Sequence, residues 1–489
     1  MANGGIIGTP NIPTSTTATG VWQQDEQYEA RVTDTWPERP LFTTKSLRFN
    51  DGSSDYLNRT PSGDGNKRTF TFSTWLKIST IKEHMFFTCG VYSSTSLMQF
   101  YLNANGTLTM SQENSSGSIQ STITTTQVFR DVSAWYHLVI AIDTTQGTSS
   151  NRVKLYVNGT QVTSFSTATY PSQNLDFACN TSGVINTIGN RSGGSFYLDG
   201  YLAETILVDG QQLAPTSFGV ANSDGVWTPI IYTGTFGTNG FNLQFENAAA
   251  LGTDSSPNGN TFTVNNLTSI DQSTDYPVVN YATMNPLDNF YQGATFSEGN
   301  IKLVTYNGAG KTAYSTSTIG VSNGKWYWEV KVNNTGNNFD TIGFAPSVPT
   351  SSDSSVLGDT TDSVGWHGYN GQLRKSNSVL ATLSTYSTND ILSFALDLDN
   401  NLIYVYKNGS IQNSGTGLAI TAAALTSTGI YFVAAGTNDN AAGTYEFNFG
   451  SPSFAISSSN ADGNGYGNFE YAVPSGFYAL NTANLAEFG

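Results

Sequence analysis

Two stretches of the chain spell the same β-hairpin. Val153-Lys154-Leu155-Tyr156-Val157-Asn158-Gly159-Thr160 is answered by Leu402-Ile403-Tyr404-Val405-Tyr406-Lys407-Asn408-Gly409-Ser410. Each is a β-rich run ending in Asn-Gly, the dipeptide that best fits a two-residue hairpin turn because both residues accept positive φ. A short apolar strand ending in aspartate precedes each copy: Ala141-Ile142-Asp143 and Ala395-Leu396-Asp397. A chain that writes strand, tight turn and return strand twice is constrained to antiparallel sheet. The aspartate-to-turn separation differs between the copies (143 to 158 against 397 to 408), so the two hairpins read as one physical solution reached in two different sandwiches.

Composition agrees with that constraint. Only 11% of the residues are charged, about half the usual share, while Gly, Ser, Thr and Asn abound and there are 28 Phe and 25 Tyr. This mixture suits strands and turns and is poor in helix formers, and no long stretch has helical periodicity. At 489 residues there is room for two or three cores. The net charge of −16 repels phosphate backbones and anionic headgroups, which argues against nucleic-acid binding and membrane insertion. No segment approaches the roughly 18 apolar residues of a membrane span. The start, Met1-Ala2-Asn3-Gly4-Gly5-Ile6-Ile7-Gly8, lacks a basic region and an apolar run of signal-peptide length, so synthesis in a cytosol without a cleaved export signal is expected. Cys89 and Cys179 read either as buried free thiols or as one disulfide.

Residues 1–44 read as an extended arm, rich in Gly, Pro and Thr, in which Trp22 and Trp36 are candidates for docking, onto a larger assembly or onto the adjacent domain. Residues 45–250 carry alternating strands such as Phe70-Thr71-Phe72-Ser73-Thr74-Trp75-Leu76-Lys77-Ile78 and Trp135-Tyr136-His137-Leu138-Val139-Ile140, each expected to be half-buried. Phe72-Ser73-Thr74-Trp75-Leu76-Lys77, Trp135-Tyr136-His137-Leu138-Val139, the first hairpin, Ile188-Gly189-Asn190-Arg191 and Leu198-Asp199-Gly200-Tyr201-Leu202-Ala203-Glu204 follow in the order of the laminin G-like branch of the concanavalin A-like lectins, which this region resembles. Residues 251–284 are turn-rich and read as a connector. In residues 285–455, Tyr327-Trp328-Glu329-Val330, Ile342-Gly343-Phe344-Ala345, Lys407-Asn408-Gly409 and Asn448-Phe449-Gly450 make the region look like a SPRY domain. The tail, 456–489, is Gly/Ser/Asn-rich and then aromatic, and either packs back on a domain or forms an interface strand. The expected fold class is all-β: two tandem antiparallel β-sandwiches of jelly-roll type behind an extended N-terminal arm.

The catalytic signals are weak. Gly310-Lys311-Thr312 has Thr305 where a phosphate-binding loop needs glycine, and strand follows where that loop needs a helix. Gly320-Val321-Ser322-Asn323-Gly324 has the spacing of a nucleophile elbow but lies between two strands. His84, His137 and His367 have no metal-ligand spacing, and His137 reads as a structural histidine in a core strand. Glycosidases of the concanavalin A-like fold carry Glu-X-Asp-X-X-Glu along one strand, whereas Glu204 and Glu329 stand alone in theirs. Some laminin G-like domains bind calcium through loop carboxylates, and that resemblance makes Asp176 and Asp199 the metal candidates, with turn roles as the alternative. The best surface cluster for a glycan is Trp366, His367, Tyr369, Asn370 and Arg374, in the loop region where SPRY-like domains meet partners; Trp366 and Tyr369 also fit a core role.

Two recognition-type sandwiches behind an arm resemble multi-domain structural proteins of tailed bacteriophages, especially marine ones. That resemblance implies a virion location on tail or capsid, attachment to other virion proteins through the arm, and adhesion to host-surface polysaccharide without enzymatic activity. It also implies a symmetric homo-oligomer, with a trimer as first expectation. A purely structural decoration or adaptor and a polysaccharide-degrading tailspike are the alternatives.

Overall fold

The computed structural model describes residues 44–92, 94–289, 293–305, 313–336, 340–347, 356–437 and 441–489. Trp22, Trp36 and the Gly310-Lys311-Thr312 sequence lie outside them. The fold is all-β, with two antiparallel β-sandwiches in tandem.

The first sandwich pairs two eight-stranded sheets. One sheet runs Thr160–Gln161, Val153–Val157, Tyr136–Asp143, Thr69–Ile78, Gly200–Asp209, Ser46–Phe49 and Gln272–Ser273, with Phe241–Leu243 added beside Gly200–Asp209. The other runs Phe165–Thr169, Ile119–Val128, Thr107–Glu113, Leu97–Leu102, His84–Cys89, Asn186–Ile188, Tyr56–Arg59 and Thr263–Asn265. Alternation sends Phe70, Phe72, Leu76 and Ile78 inward against Phe87, Phe100, Leu138 and Ile140. The Phe72 and Phe87 rings stack at 4.5 Å.

The other face of Thr69–Ile78 is buried too, contrary to the half-buried expectation. Val139, Ile206 and Val208 on that outer face are covered by Phe218, Tyr232 and Phe236 from the crossing segment after Asp209. Trp75, Trp135, Tyr201 and Ala203 form a further outer cluster with Trp227.

The second sandwich has a nine-stranded sheet built around Lys325–Asn334, Ile391–Asp397 and Thr444–Asn448, and a six-stranded sheet running from Ala313–Val321 to Ser378–Thr382. Its core stacks Trp328 on Phe394 at 5.2 Å. Gly320-Val321-Ser322-Asn323-Gly324 joins strands Ala313–Val321 and Lys325–Asn334, as a turn.

Both Asn-Gly hairpins form, and by one device. Asn158 and Gly159 have φ of 46° and 79°, and Asn408 and Gly409 have 48° and 75°. Each asparagine also clamps the neighbouring strand. His137 N donates to Asn158 Oδ1 at 2.7 Å while Asn158 N donates to His137 O at 2.9 Å. Ile391 N donates to Asn408 Oδ1, and Asn408 N to Ile391 O, both at 2.8 Å. Each glycine receives an aromatic ring where a Cβ would stand: Trp227 on Gly159 and Tyr471 on Gly409.

The tail returns to the second sandwich. Tyr478–Ala479 pairs in parallel with Lys325–Asn334, and a short helix, Thr482–Phe488, follows, capped by Asn481 through a bond from Asn484 N. The fully buried Glu329 holds this return, accepting from Glu470 N and Tyr471 N at 2.9 Å, from Tyr327 OH and from Asn448 Nδ2. Buried polar contacts dock the two sandwiches. Arg48, wholly buried, donates to Ile270 O at 2.8 Å and to Pro452 O at 3.3 Å. Tyr201 OH donates to Gly299 O, and Asn300 Nδ2 to Ser79 O.

Candidate functional site

Period two places Thr71, Ser73, Trp75 and Lys77 on the outer face of their strand, away from the Phe70–Phe72 core. Register then sets Trp75 opposite His137 on one side and Ala203 on the other, and Lys77 opposite Tyr201. The Trp75 and His137 rings stack at 4.8 Å. On the far side of His137 lies Trp227, at 6.0 Å. Trp227 comes from the small hairpin Gly219–Ala221 with Trp227–Pro229, and its ring packs against both Gly159 and Gly219.

His137 is 1% exposed and ties this stack together. Trp227 Nε1 donates to His137 Nδ1 at 2.9 Å, so Nδ1 is the acceptor and the ring proton sits on Nε2, which faces Ser73 Oγ at 2.9 Å. Burial holds the imidazole down to about 3, so it is neutral. The expected structural histidine is observed, and its structure-bearing role is to orient an indole.

Around this stack opens a groove of about 720 Å³, within the size range of ligand sites. Trp75, Trp135 and Trp227 line it together with the amides of Asn158, Asn222 and Asn280. Pro277 and Val278 form one wall, and Ala483 and Ala486 of the C-terminal helix another. Trp75 Nε1 is buried and has no hydrogen-bond partner among the described residues. Trp227 is half-buried and the adjoining Val226 is exposed, so an apolar rim faces solvent. Trp75 and Trp135 are 3% and 8% exposed and form the floor, so the half-buried Trp227 indole, bordered by amides and with no charged side chain in the lining, is the surface that can stack on the apolar face of a neutral ring.

The sequence-derived cluster does not assemble as a surface site. Trp366 is fully buried, its ring edge-on to Tyr386 and Phe394 and its Nε1 donating to Ser384 O at 3.2 Å. It cannot stack on a ligand, because its strand alternation turns it into the core. His367 is 6% exposed, and burial lowers its pKa. Tyr369 stands outward at 52% exposure. Asn370 caps its own turn by accepting from Gln372 N. Arg374 is engaged by Asp359 at 2.6 Å, Gln372 and Asn377.

The calcium candidates also separate. Asp176 is exposed and pairs with Arg68 at 2.6 Å, while Asp199 is 3% exposed beside Thr80, with burial pushing its carboxyl up to about 7. Among the described residues no group of three or more His, Cys, Asp or Glu side chains is placed to hold a metal ion. Cys89 and Cys179 are both buried and free, with the Cys89 thiol against Cys179.

The groove escapes a reading of the sequence because Trp227 lies in no strand-like run and because its walls come from three distant segments. One signal was present: Trp75 and His137 fall on the face opposite the core by simple alternation.

Comparison with known proteins now bears on this arrangement. Residues 51–213 match the family model for the concanavalin A-like lectin/glucanases superfamily, and residues 325–451 match that of the SPRY domain. The first sandwich is thus similar to lectin-like domains and the second to SPRY domains. Both matches suggest carbohydrate or protein binding. No curated protein sequence matches the chain. Similar solved structures include the SPRY domain of human HERC1, at 19% identity, TM-score 0.28, covering 34% of this chain and 96% of that one. A heptameric SAP-like pentraxin from Limulus polyphemus aligns at 17% identity and TM-score 0.25, covering 33% of this chain and 71% of the pentraxin. Among the described residues no helix is long and apolar enough to cross a membrane.

Proposed function

We propose that the chain is a non-enzymatic glycan-binding protein whose site is the three-tryptophan groove on the outer face of the lectin-like sandwich. The observation that carries this is the groove itself: Trp75, Trp135 and Trp227 with three asparagine amides, held by a neutral buried histidine. The absence of charge from the lining favours a neutral polysaccharide over an acidic one. The lectin-like family match supports the same ligand class. The setting we propose is a virion surface of a tailed phage, with adhesion to host polysaccharide; it is supported by the tandem of recognition domains and the low-charge, acidic composition.

The test is a glycan array followed by affinity measurement on the best neutral oligosaccharide. Wild type is expected to bind, and Trp227→Ala to bind at least about tenfold more weakly, the scale of one lost stacking contact of about 1.4 kcal/mol. Equal affinity in Trp227→Ala, or no binding by wild type across neutral glycans, would refute the assignment. Release of reducing ends from the bound polysaccharide would revive the hydrolase reading.

A further inference from the structure

Lys77 is 1% exposed, a rare state for lysine unless it is paired. Its ammonium nitrogen lies 2.8 Å from Asp275 Oδ2, 2.7 Å from Asn280 Oδ1 and 3.3 Å from Tyr281 O, with the Tyr201 ring 5.6 Å away. An amine, a carboxamide and a carboxyl group therefore meet at the edge of the groove, and these are the three groups that transamidation requires. We propose that Lys77 and Asn280 become joined by an intramolecular isopeptide bond, with Asp275 as the proton carrier.

The geometry sets up the attack, and Asp275, beside the Lys77 nitrogen, is placed to carry its protons once the tetrahedral intermediate forms. Asn280 turns its carbonyl toward the Lys77 nitrogen, while its Nδ2 donates away, to Ser133 O at 2.6 Å. Asn280 also lines the groove, so the leaving nitrogen has an exit. Asp275 is fixed by Trp135 Nε1, which donates to its Oδ1 at 2.9 Å. Burial pushes the Asp275 carboxyl up, against the pull of Lys77, and so favours passing a proton from the ammonium to Asp275. The neutral amine then attacks Asn280 Cγ, and Asp275 donates its proton to Nδ2. The Nζ–Cγ bond forms, the Cγ–Nδ2 bond breaks, ammonia departs, and the amine's surplus proton returns to the Asp275 carboxylate. No oxidant, reductant or co-reactant is needed. Fixed contact distances favour attack by the Lys77 nitrogen over attack by water. The bond ties the strand Thr69–Ile78 to the segment that leads into the second sandwich, and it does not depend on the glycan reading.

High-resolution mass spectrometry of the denatured full chain, with tryptic mapping, tests this. Wild type should lie about 17 Da, one ammonia, below the sequence mass, and should yield one branched peptide containing Lys77 and Asn280 with no cleavage after Lys77. Asn280→Ala and Asp275→Ala should show their full sequence masses and linear Lys77 peptides. A wild-type Lys77 peptide recovered linear would overturn the proposal, including when a deficit of about 17 Da maps to a succinimide at an Asn-Gly pair. A deficit of about 18 Da, one water, localised to Lys77 and Asp275 would also overturn it. If a variant fails to fold, the wild-type map alone decides.

Discussion

Gly159→Ala measures how much the first Asn-Gly turn does beyond turning the chain. Gly159 has φ of 79°, and an added Cβ would stand 2.6–2.8 Å from three atoms of the Trp227 ring. A left-handed conformation costs a non-glycine residue about 1–2 kcal/mol. The ring must also withdraw, which breaks the Trp227 Nε1 to His137 Nδ1 bond and leaves a buried acceptor unpaired, at about 1–3 kcal/mol. Together these give roughly 3 kcal/mol, or about 6–12 °C in melting temperature for a sandwich of this size. Gly183→Ala separates the two contributions. Gly183 has φ of 74°, and nothing lies within 4 Å of where its Cβ would stand, so only the backbone cost remains, about 1 kcal/mol and roughly 2–4 °C. Calorimetry of both variants, with Trp227→Ala and the double variant Gly159→Ala/Trp227→Ala to complete a cycle, checks this. The excess cost should vanish in the Trp227→Ala background. If Gly159→Ala melts no lower than Gly183→Ala, the turn does not position Trp227 and the reasoning fails.

Three further outcomes follow from the same contacts. Glu329→Gln should lose about 3 kcal/mol, because an amide cannot accept all four donors around that carboxylate; limited proteolysis should then cut the tail from about residue 456 onward, and a tail as resistant as wild type would contradict it. His137 titrates near 6.5 when unfolded and about 3 when folded, so its contribution is complete above 6.5 and is lost as pH falls toward 3, by about 1.4 kcal/mol per unit. His84, lowered to about 4, acts the same way, whereas Asp199 and Asp55, raised to about 7 and about 6, favour the folded state at low pH and lose that contribution as pH rises through the same range. In urea titrations between pH 4 and 6, His137→Gln should therefore gain stability relative to wild type on acidification, by about 1.4 kcal/mol per pH unit; equal slopes for the two would mean that His137 is not buried neutral. Asn408→Ala should cost about 2 kcal/mol, from positive φ and the lost Ile391 N bond, and equal urea midpoints for variant and wild type would exclude the clamp.

Much of the scaffold was legible because it is local. Asn-Gly requires a tight turn wherever strands flank it, and Phe70, Phe72, Leu76 and Ile78 could share only one face. The surface cluster was misread for a reason of the same kind. Trp366 and Tyr369 are neighbours in sequence, but Trp366 belongs to a strand that turns it inward and Tyr369 to the loop beyond it. The groove depends on segments about 60 to 400 residues apart, and no local pattern announces such a meeting.

The division is clearest at Trp75 and Lys77. Their spacing alone put them on the outer face of the strand, opposite the core, because side chains in a strand alternate. That face would be solvent in an isolated sandwich. Asp275, Asn280 and Trp227 close over it only once the connector and the crossing hairpin have packed back, and the C-terminal helix then walls the groove. Backbone periodicity thus settled which side chains would stand together. Burial, ion pairing and a ligand-sized cavity were decided by which distant segments came to cover them.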